Sequence, residues 1–331
     1  MKVSVLGCGT WGSAVAQALA DNGVEVTAWQ RYENKSLEME STRRHPILKD
    51  IEFNSNIFFT SDFDNAIVSG NIIILAVPSD AVREVILQAS DKLTENSIIV
   101  NLAKGIENNT LMTMSQVIHI ESGLKENQIV SLYGPSHAEE VVKKLPTTLV
   151  AGCVEKNTSI LIQELMSSEF LRIYTNDDIL GVEIGGSLKN IMAIAAGVCD
   201  GIGYGDNSKA AILTRGMNEM TKLGLIMGAN ESTFFGLSGI GDLLVTALSK
   251  HSRNRFVGEK IGKGESLDSI MGSMKMVAEG INTCKAIPDL VKKYKIEMPI
   301  SESIHDILFN KKDPLKVVKE LMTRKLGPEN N

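Results

Sequence analysis

Apolar positions in the first half of the chain fall in short runs, each closed by a glycine, a proline or a polar turn and followed by a segment of helical spacing. Residues 3–6 (Val-Ser-Val-Leu) form the first run and residues 24–29 the second. Others lie at 71–77 (Asn-Ile-Ile-Ile-Leu-Ala-Val), 97–101, 129–132, 147–151 and 172–174. β-Branched runs without polar alternation are the pattern of strands buried on both faces of a parallel sheet. Between them, residues 13–22, 62–69, 80–91, 111–122 and 158–166 carry helical spacing, so strands and crossover helices alternate as in an α/β fold. Residues 33–56, including Arg43-Arg44-His45-Pro46, are polar and irregular and are expected to form a loop-rich excursion. Beyond Asp177 the strand pattern stops. Residues 179–198 and 207–227 read as helices, shorter helical pieces follow toward Leu321, and the stretches 201–205 and 236–242 read as glycine-rich loops.

The first strand runs directly into Gly7-Cys-Gly9-Thr-Trp-Gly12 and then into a helix. In that strand-turn-helix context Gly7 permits the tight turn, Gly9 lets backbone N–H groups approach a pyrophosphate, and Gly12 lets helix and strand pack closely. These features predict an N-terminal Rossmann-type doubly wound sheet over residues 1–178 that binds a dinucleotide. An all-helical C-terminal domain that binds substrate is predicted over residues 179–331. At the end of the second strand, Gln30-Arg31-Tyr32 stands where an NAD site places an acid on the ribose 2′-hydroxyl. The Arg31 guanidinium suits the 2′-phosphate of NADP and Tyr32 offers an apolar face, so NADP is favoured over NAD. In the alternative, Arg31 is a solvated loop residue and Glu33 takes the role of the acid.

Residues 184–198 read Ile-Gly-Gly-Ser-Leu-Lys-Asn-Ile-Met-Ala-Ile-Ala-Ala-Gly-Val, apolar and small apart from Ser187, Lys189 and Asn190. Too short and too charged for a membrane span, this stretch is expected to be a buried helix. A lysine within it must be paired, reach out to water along its stem, or do chemistry. Lys104 follows the strand at 97–101, and Gly134-Pro-Ser136 follows the strand at 129–132. Both turns lie at carboxyl ends of strands, where ligands of doubly wound sheets bind. His137 adjoins the second turn, with no serine or cysteine nucleophile motif beside it to suggest general-base work. Asp242, Thr246, Ser252, Arg253 and Asn254 cluster farther along, offering acceptors and a guanidinium fork for a phosphate, or else surface ion pairs.

Composition narrows the partners. At 331 residues the chain has room for two domains, and 43% hydrophobic with 22% charged residues is ordinary for a globular protein. The net charge of -6 argues against a general nucleic-acid binder. Four widely spaced cysteines, with no CxxC pair, suit a reducing compartment and supply no zinc pattern, so no metal is expected. The run after Lys2 is too short for a signal-peptide core, no membrane span is expected, and a cytoplasmic location is.

Seven motifs in order carry a resemblance. They are the glycine turn with Ser13-Ala14, Asn101-Leu-Ala-Lys104-Gly105, Tyr133-Gly-Pro-Ser136-His-Ala138-Glu-Glu140, Gly185-Gly-Ser-Leu-Lys189-Asn190, Gly236-Leu-Ser-Gly-Ile-Gly-Asp242, His251-Ser-Arg253-Asn254-Arg255 and Val277-Ala-Glu279-Gly280. Over nearly its whole length the chain resembles the bacterial-type NAD(P)-dependent glycerol-3-phosphate dehydrogenases, although Ile47-Leu48-Lys49 stands where that family often has Tyr-Leu-Pro. The resemblance implies reduction of dihydroxyacetone phosphate to sn-glycerol 3-phosphate for glycerophospholipid synthesis, by a homodimer. It also implies Lys189 as proton donor and acceptor, with Lys104, Gly134, Ser136, Asp242, Ser252, Arg253 and Asn254 around the substrate. Beside the Gly7, Gly9 and Gly12 turn, the positions it implies near NADP or NAD are Thr10, Trp11, Arg31, Tyr32, Lys104, Ala138, Arg253, Val277 and Glu279. For that role Lys189 needs a pKa below the ordinary ~10.4, nearer ~8, with Asn190 and Thr246 orienting the group. Two rival readings are another dehydrogenase of the 6-phosphogluconate or β-hydroxyacid type, and a non-catalytic NAD(P)H-binding regulator.

Overall fold

The structure, a computed structural model, describes residues 2–49, 51–68, 70–274 and 278–329. Ser69, the expected last residue of a helix, and Val277, an expected cofactor neighbour, lie outside the described residues. Eight strands among the described residues form one sheet: β1 (Lys2–Leu6), β2 (Glu25–Trp29), β3 (Ile57–Thr60), β4 (Ile72–Leu75), β5 (Ile98–Asn101), β6 (Ile129–Tyr133), β7 (Thr147–Gly152) and β8 (Leu171–Asn176). Their order is β3-β2-β1-β4-β5-β6-β7-β8. The first six are parallel, β7 pairs antiparallel to β6, and β8 returns parallel to β7. Order reverses between β1 and β4, which places the glycine turn at the switch point where doubly wound sheets take their ligands. Each face of the sheet carries its own apolar cluster, one around Val5, Ile74 and Val100 and the other around Leu6, Ile73 and Ile99. This accounts for runs that are hydrophobic at every position.

One element corrects the loop expected at 33–56, and a strand that the sequence did not suggest follows it. A helix occupies Glu33–Thr42, and β3 follows at Ile57–Thr60. The helix buries only Ser36 and Met39, so its apolar stripe is too narrow to show in the sequence. Arg43 ends it in the left-handed region at φ 54°, and its guanidinium donates to the Ile57 carbonyl at 2.8 Å. His45 is buried and its Nδ1 accepts from the Ile47 and Leu48 N–H groups, both at 3.0 Å. Polar side chains, satisfied by nearby main chain, thus order a stretch that lacks hydrophobic periodicity.

From Ile179 the elements among the described residues are all helical. The Ile179–Ile202 helix has 24 residues, about 36 Å at 1.5 Å per residue, and runs past the expected end at 198. It is long and apolar enough to cross a membrane, yet 89% of its most apolar 18 residues are buried in the fold, where it serves as the core helix of the second half. Asp178 caps it, accepting from Gly181 N at 2.9 Å, and its other oxygen accepts from Asn230 N at 2.8 Å and Thr233 Oγ1 at 2.7 Å. The stretch at 236–242, expected as a loop, winds instead into a π-helical turn, Leu237–Gly241, that continues into the Asp242–Leu248 helix. Such wide turns re-aim side chains and recur at functional sites.

This core helix crosses the Arg253–Gly262 helix with main chain against main chain, and glycines allow it. A Cβ on Gly197 would stand 2.0 Å from the Arg255 carbonyl oxygen, and one on Gly258 2.0 Å from that of Ile194. Gly201 and Gly262, one turn on, face main chain in the same way, at 2.3 and 2.5 Å. Any methyl added here must push two backbones apart, an overpacking that costs about 1–3 kcal/mol.

Candidate active site

Lys189 lies halfway along the core helix, 5% exposed. Its Nζ donates to Asp242 Oδ1 at 2.6 Å and to Thr246 Oγ1 at 2.6 Å. The other oxygen of the same carboxylate accepts from Lys104 Nζ at 2.7 Å, and Lys104 also donates to the Gly134 carbonyl at 3.2 Å. Asp242, 1% exposed, therefore sits between two ammonium groups, one from the carboxyl edge of the sheet and one from the core helix. The lysine neither reaches water nor stands alone; it is paired.

The charges set the protonation states. Burial lowers the Lys189 pKa to about 8, opposed by the Asp242 charge and helped by Lys104. Burial also acts against the Asp242 anion, but the two ammonium groups outweigh it and hold the carboxyl below its usual range. Glu279, facing Arg253, Lys104 and Lys189, is held above its usual range by burial, which those cations offset only in part. Burial, and after it the Lys189 charge, lowers the pKa of His137. An ammonium has three donors, so two remain bonded to the protein on each lysine and one is left for a ligand oxygen.

Thr246 thus stands where the sequence expected an orienting group, but Asn190 does not. The Asn190 Oδ1 accepts from Asn254 Nδ2 at 2.9 Å, and Asn254 Oδ1 in turn accepts from Gly280 N at 3.0 Å. Those contacts join the core helix, the Arg253–Gly262 helix and the Glu279–Lys285 helix. Ser252 caps the second of these, its Oγ accepting from Arg255 N at 3.2 Å. Arg253 and Asn254 therefore open a ten-residue helix, Arg253 exposed and Asn254 buried. Ser136 is partly buried and donates to the Gly134 carbonyl at 3.0 Å. Gly134 adopts φ 141°, and a Cβ there would lie 3.1 Å from the Leu149 Cα, so the turn needs glycine for its own packing. Gly185 lets the π-helical turn come close, an ideal Cβ standing 2.8 Å from the Ser238 carbonyl oxygen, and Gly186 lies against the Tyr133 ring of β6, at 2.5 Å from such a Cβ.

At the switch point the glycine turn fits a dinucleotide. Gly7 adopts φ 109°, and a Cβ on Gly12 would stand 1.9 Å from the Gly7 carbonyl oxygen, so both are needed by the fold. Gly9 is different: its φ is −72° and a Cβ there would meet nothing within 4 Å. Nothing among the described residues requires glycine at that position, whereas a pyrophosphate drawn to the helix N-terminus does. The Thr10–Asp21 helix begins there without a side-chain cap, leaving its first N–H groups to such a ligand. Thr10 is buried and Trp11 partly so, while Ala138 begins the Ala138–Val141 turn of helix. Arg31 and Tyr32 are exposed beyond β2, with Arg31 only 3.8 Å from Glu84 Oε1 in a loose surface pair. Among the described residues no group of three or more His, Cys, Asp or Glu side chains is placed to hold a metal ion.

A buried network next to this cluster had no role in the sequence reading. Glu183, 0% exposed, accepts from Ser115 N at 2.8 Å, Ser115 Oγ at 2.6 Å and Ser131 Oγ at 2.7 Å. Beside it Asn101 Nδ2 donates to the Tyr133 hydroxyl at 2.9 Å. The available signal was an acid, Glu183, one residue ahead of the apolar stretch that holds Lys189.

Comparison with known proteins places the chain. The family model described as NAD-dependent glycerol-3-phosphate dehydrogenase N-terminus matches residues 2–159, and the one described as its C-terminus matches residues 178–319. Among curated relatives, the glycerol-3-phosphate dehydrogenase [NAD(P)+] 2 of Salinibacter ruber is 48% identical over 98% of this chain and 94% of its own. That of Listeria innocua is 47% identical over 98% and 96%. The crystal structure of glycerol-3-phosphate dehydrogenase from Coxiella burnetii superimposes with a TM-score of 0.91 at 32% identity, covering 98% of this chain and 99% of that one. The chain belongs to the NAD-dependent glycerol-3-phosphate dehydrogenase family.

Proposed function

We propose that this chain reduces dihydroxyacetone phosphate to sn-glycerol 3-phosphate with NADPH or NADH, and catalyses the reverse oxidation, in the cytoplasm and toward glycerophospholipid synthesis. The observation that carries the reading is the buried carboxylate of Asp242 clamped between Lys104 and Lys189, where the sheet's carboxyl edge meets the core helix. Residues 1–178 hold the dinucleotide and residues 179–331 complete the substrate site. When bound, the nicotinamide supplies the hydride in one direction and accepts it in the other.

Negative charge develops on the ketone oxygen as reduction proceeds, and the remaining N–H of Lys189 stabilises and then protonates it. Lys104 adds a second positive charge to the same pocket. In the reverse direction neutral Lys189 takes the proton, which a pKa of about 8 brings within reach of physiological pH. Asp242 and Thr246 hold the amine so that its approach is fixed before substrate arrives. The phosphate is held by Arg253 and by the N–H groups that open its helix, with Ser252 keeping that terminus capped. Asn254, whose side chain is bonded to Asn190 and Gly280, contributes its backbone and the alignment of three helices. Ser136 and Gly134 shape the wall opposite. The test is NADPH oxidation on addition of dihydroxyacetone phosphate, repeated with NADH; absence of turnover with both cofactors overturns the reading.

Two further outcomes are expected. A hydrogen bond to a charged group contributes ~1.5–3 kcal/mol, or about 10- to 100-fold in binding. Arg253→Ala should raise the KM for dihydroxyacetone phosphate by about that factor, and an unchanged KM removes Arg253 from the phosphate site. Because a loose surface pair contributes little, Arg31 stays available to a 2′-phosphate. In steady-state kinetics Arg31→Ala should raise the KM for NADPH at least ~10-fold and leave that for NADH where it was; an unchanged NADPH preference in the variant removes Arg31 from the 2′-phosphate site.

A further inference from the structure

We propose that Tyr133 is a positioning residue for Lys104, its hydroxyl fixing the main chain that carries the lysine and its ring flooring the ammonium; the proposal rests on the reading of the site given above. Ala103 directly precedes Lys104, and side chains hold both of its main-chain polar groups. Its N–H donates to Asn101 Oδ1 at 3.0 Å. Its carbonyl accepts from the Tyr133 hydroxyl and from Asn101 Nδ2, the latter at 3.2 Å. The 2.9 Å bond between Asn101 Nδ2 and the Tyr133 oxygen closes these three groups into a ring. Asn101 and Tyr133 are both 0% exposed, so water cannot replace either arm.

The ring of Tyr133 acts on the other end of the lysine. Its centroid lies 5.4 Å from Lys104 Nζ, within cation–π range. The ring also packs against Gly186, where an ideal Cβ would stand 2.5 Å from a ring carbon, so glycine there makes room for it. Glu183 ties this clamp to the helix that bears Lys189: through Ser115 and Ser131 it gathers the Met114–Ser122 helix and β6 onto the core helix. None of Tyr133, Asn101 or Glu183 has surface to offer a substrate. Their effect passes through Lys104, whose ammonium must share one carboxylate with Lys189. Misplacing a reacting group by ~1 Å can cost ~100-fold in rate, so a clamp on the backbone of Lys104 is worth its buried polar groups.

The test is Tyr133→Phe, which keeps the ring against Gly186 and removes only the hydroxyl. The expected kcat for dihydroxyacetone phosphate reduction falls ~10- to ~100-fold while NADPH binding, read by fluorescence, is unchanged. Lys189 is faced by Asp242, Lys104, Glu279 and His137. Of these Lys104 alone is carried by the clamp, and its charge holds the Lys189 pKa down. Loosening it should move the midpoint of the pH profile for glycerol 3-phosphate oxidation upward, which a plain loss of packing does not do. Competitive labelling of Lys189 with acetic anhydride across pH, followed by mass spectrometry, reports the same shift without turnover. An inactive wild type therefore counts against the function alone, while the labelling still decides the positioning role. Where Tyr133→Phe does not fold, Glu183→Gln is read in its place, with the same direction expected. Wild-type kcat together with an unshifted midpoint in the folded variant overturns the proposal.

Discussion

Lys189→Ala is expected to lower kcat by ~100- to ~10,000-fold in both directions, the range for removing a positioned acid-base group. The fold should survive it, because Asp242 keeps Lys104 as partner and the core helix gains a residue of higher helical propensity. Thermal unfolding and single-turnover kinetics on the same preparation separate the two effects. In the wild type, oxidation of glycerol 3-phosphate needs the neutral amine, so its kcat should rise with pH through about 8. The variant's residual rate should lack that limb. Turnover within tenfold of wild type would falsify the assignment of Lys189 as the proton carrier.

Asp242→Asn tests the other half of the cluster and should be the more damaging change to the fold. Removing one partner of a buried ion pair leaves an uncompensated charge and costs about 3–5 kcal/mol, and here two ammonium groups would face each other. Urea unfolding at neutral pH should show that loss. The sign of its pH dependence follows from the lowered pKa of Asp242 in the folded chain. Its contribution is present in full above ~4, the unfolded value, and is lost as pH falls through the lower folded value. The stability gap between wild type and variant should therefore narrow in acid. Kinetically, loss of the main influence that raises the Lys189 pKa should shift the oxidation midpoint below about 8. A variant equal to wild type in stability at pH 7 would show that the carboxylate is not the keystone of the pair.

Local pattern was enough for most of the sheet. The runs at 3–6, 71–77 and 129–132 became β1, β4 and β6 because parallel strands buried on both faces leave an unbroken apolar signature. Glu33–Thr42 and Ile57–Thr60 escaped notice for the opposite reason: one buries two side chains, and the other is a four-residue strand with Phe58 turned to solvent. The antiparallel entry of β7 left no mark, since strand direction is a property of connections. In the site, Lys189 drew attention as a cation in an apolar helix, and the glycine turn through its spacing. The pairing with Asp242 could not be read from spacing, because 53 residues separate it from Lys189 and 138 from Lys104. Only the resemblance to a family brought those residues together. Tyr133 and Asn101 stood in motifs on which that resemblance rests, yet their chemistry is with the main chain of Ala103, which a string of side chains does not display.

The four glycines at the crossing of the core helix and the Arg253–Gly262 helix bear on how this protein can change over generations. Lys189 rides on one helix and Arg253 on the other, and the interval between them is set by backbone resting on backbone. Side chains around the cleft can be exchanged one at a time, and with them cofactor preference or rate. The span from amine to guanidinium cannot be retuned in that way, since no single substitution separates two main chains by a fraction of an ångström and leaves them packed. Descendants of this chain are free to explore the chemistry along a molecule of fixed length, while its length itself is inherited.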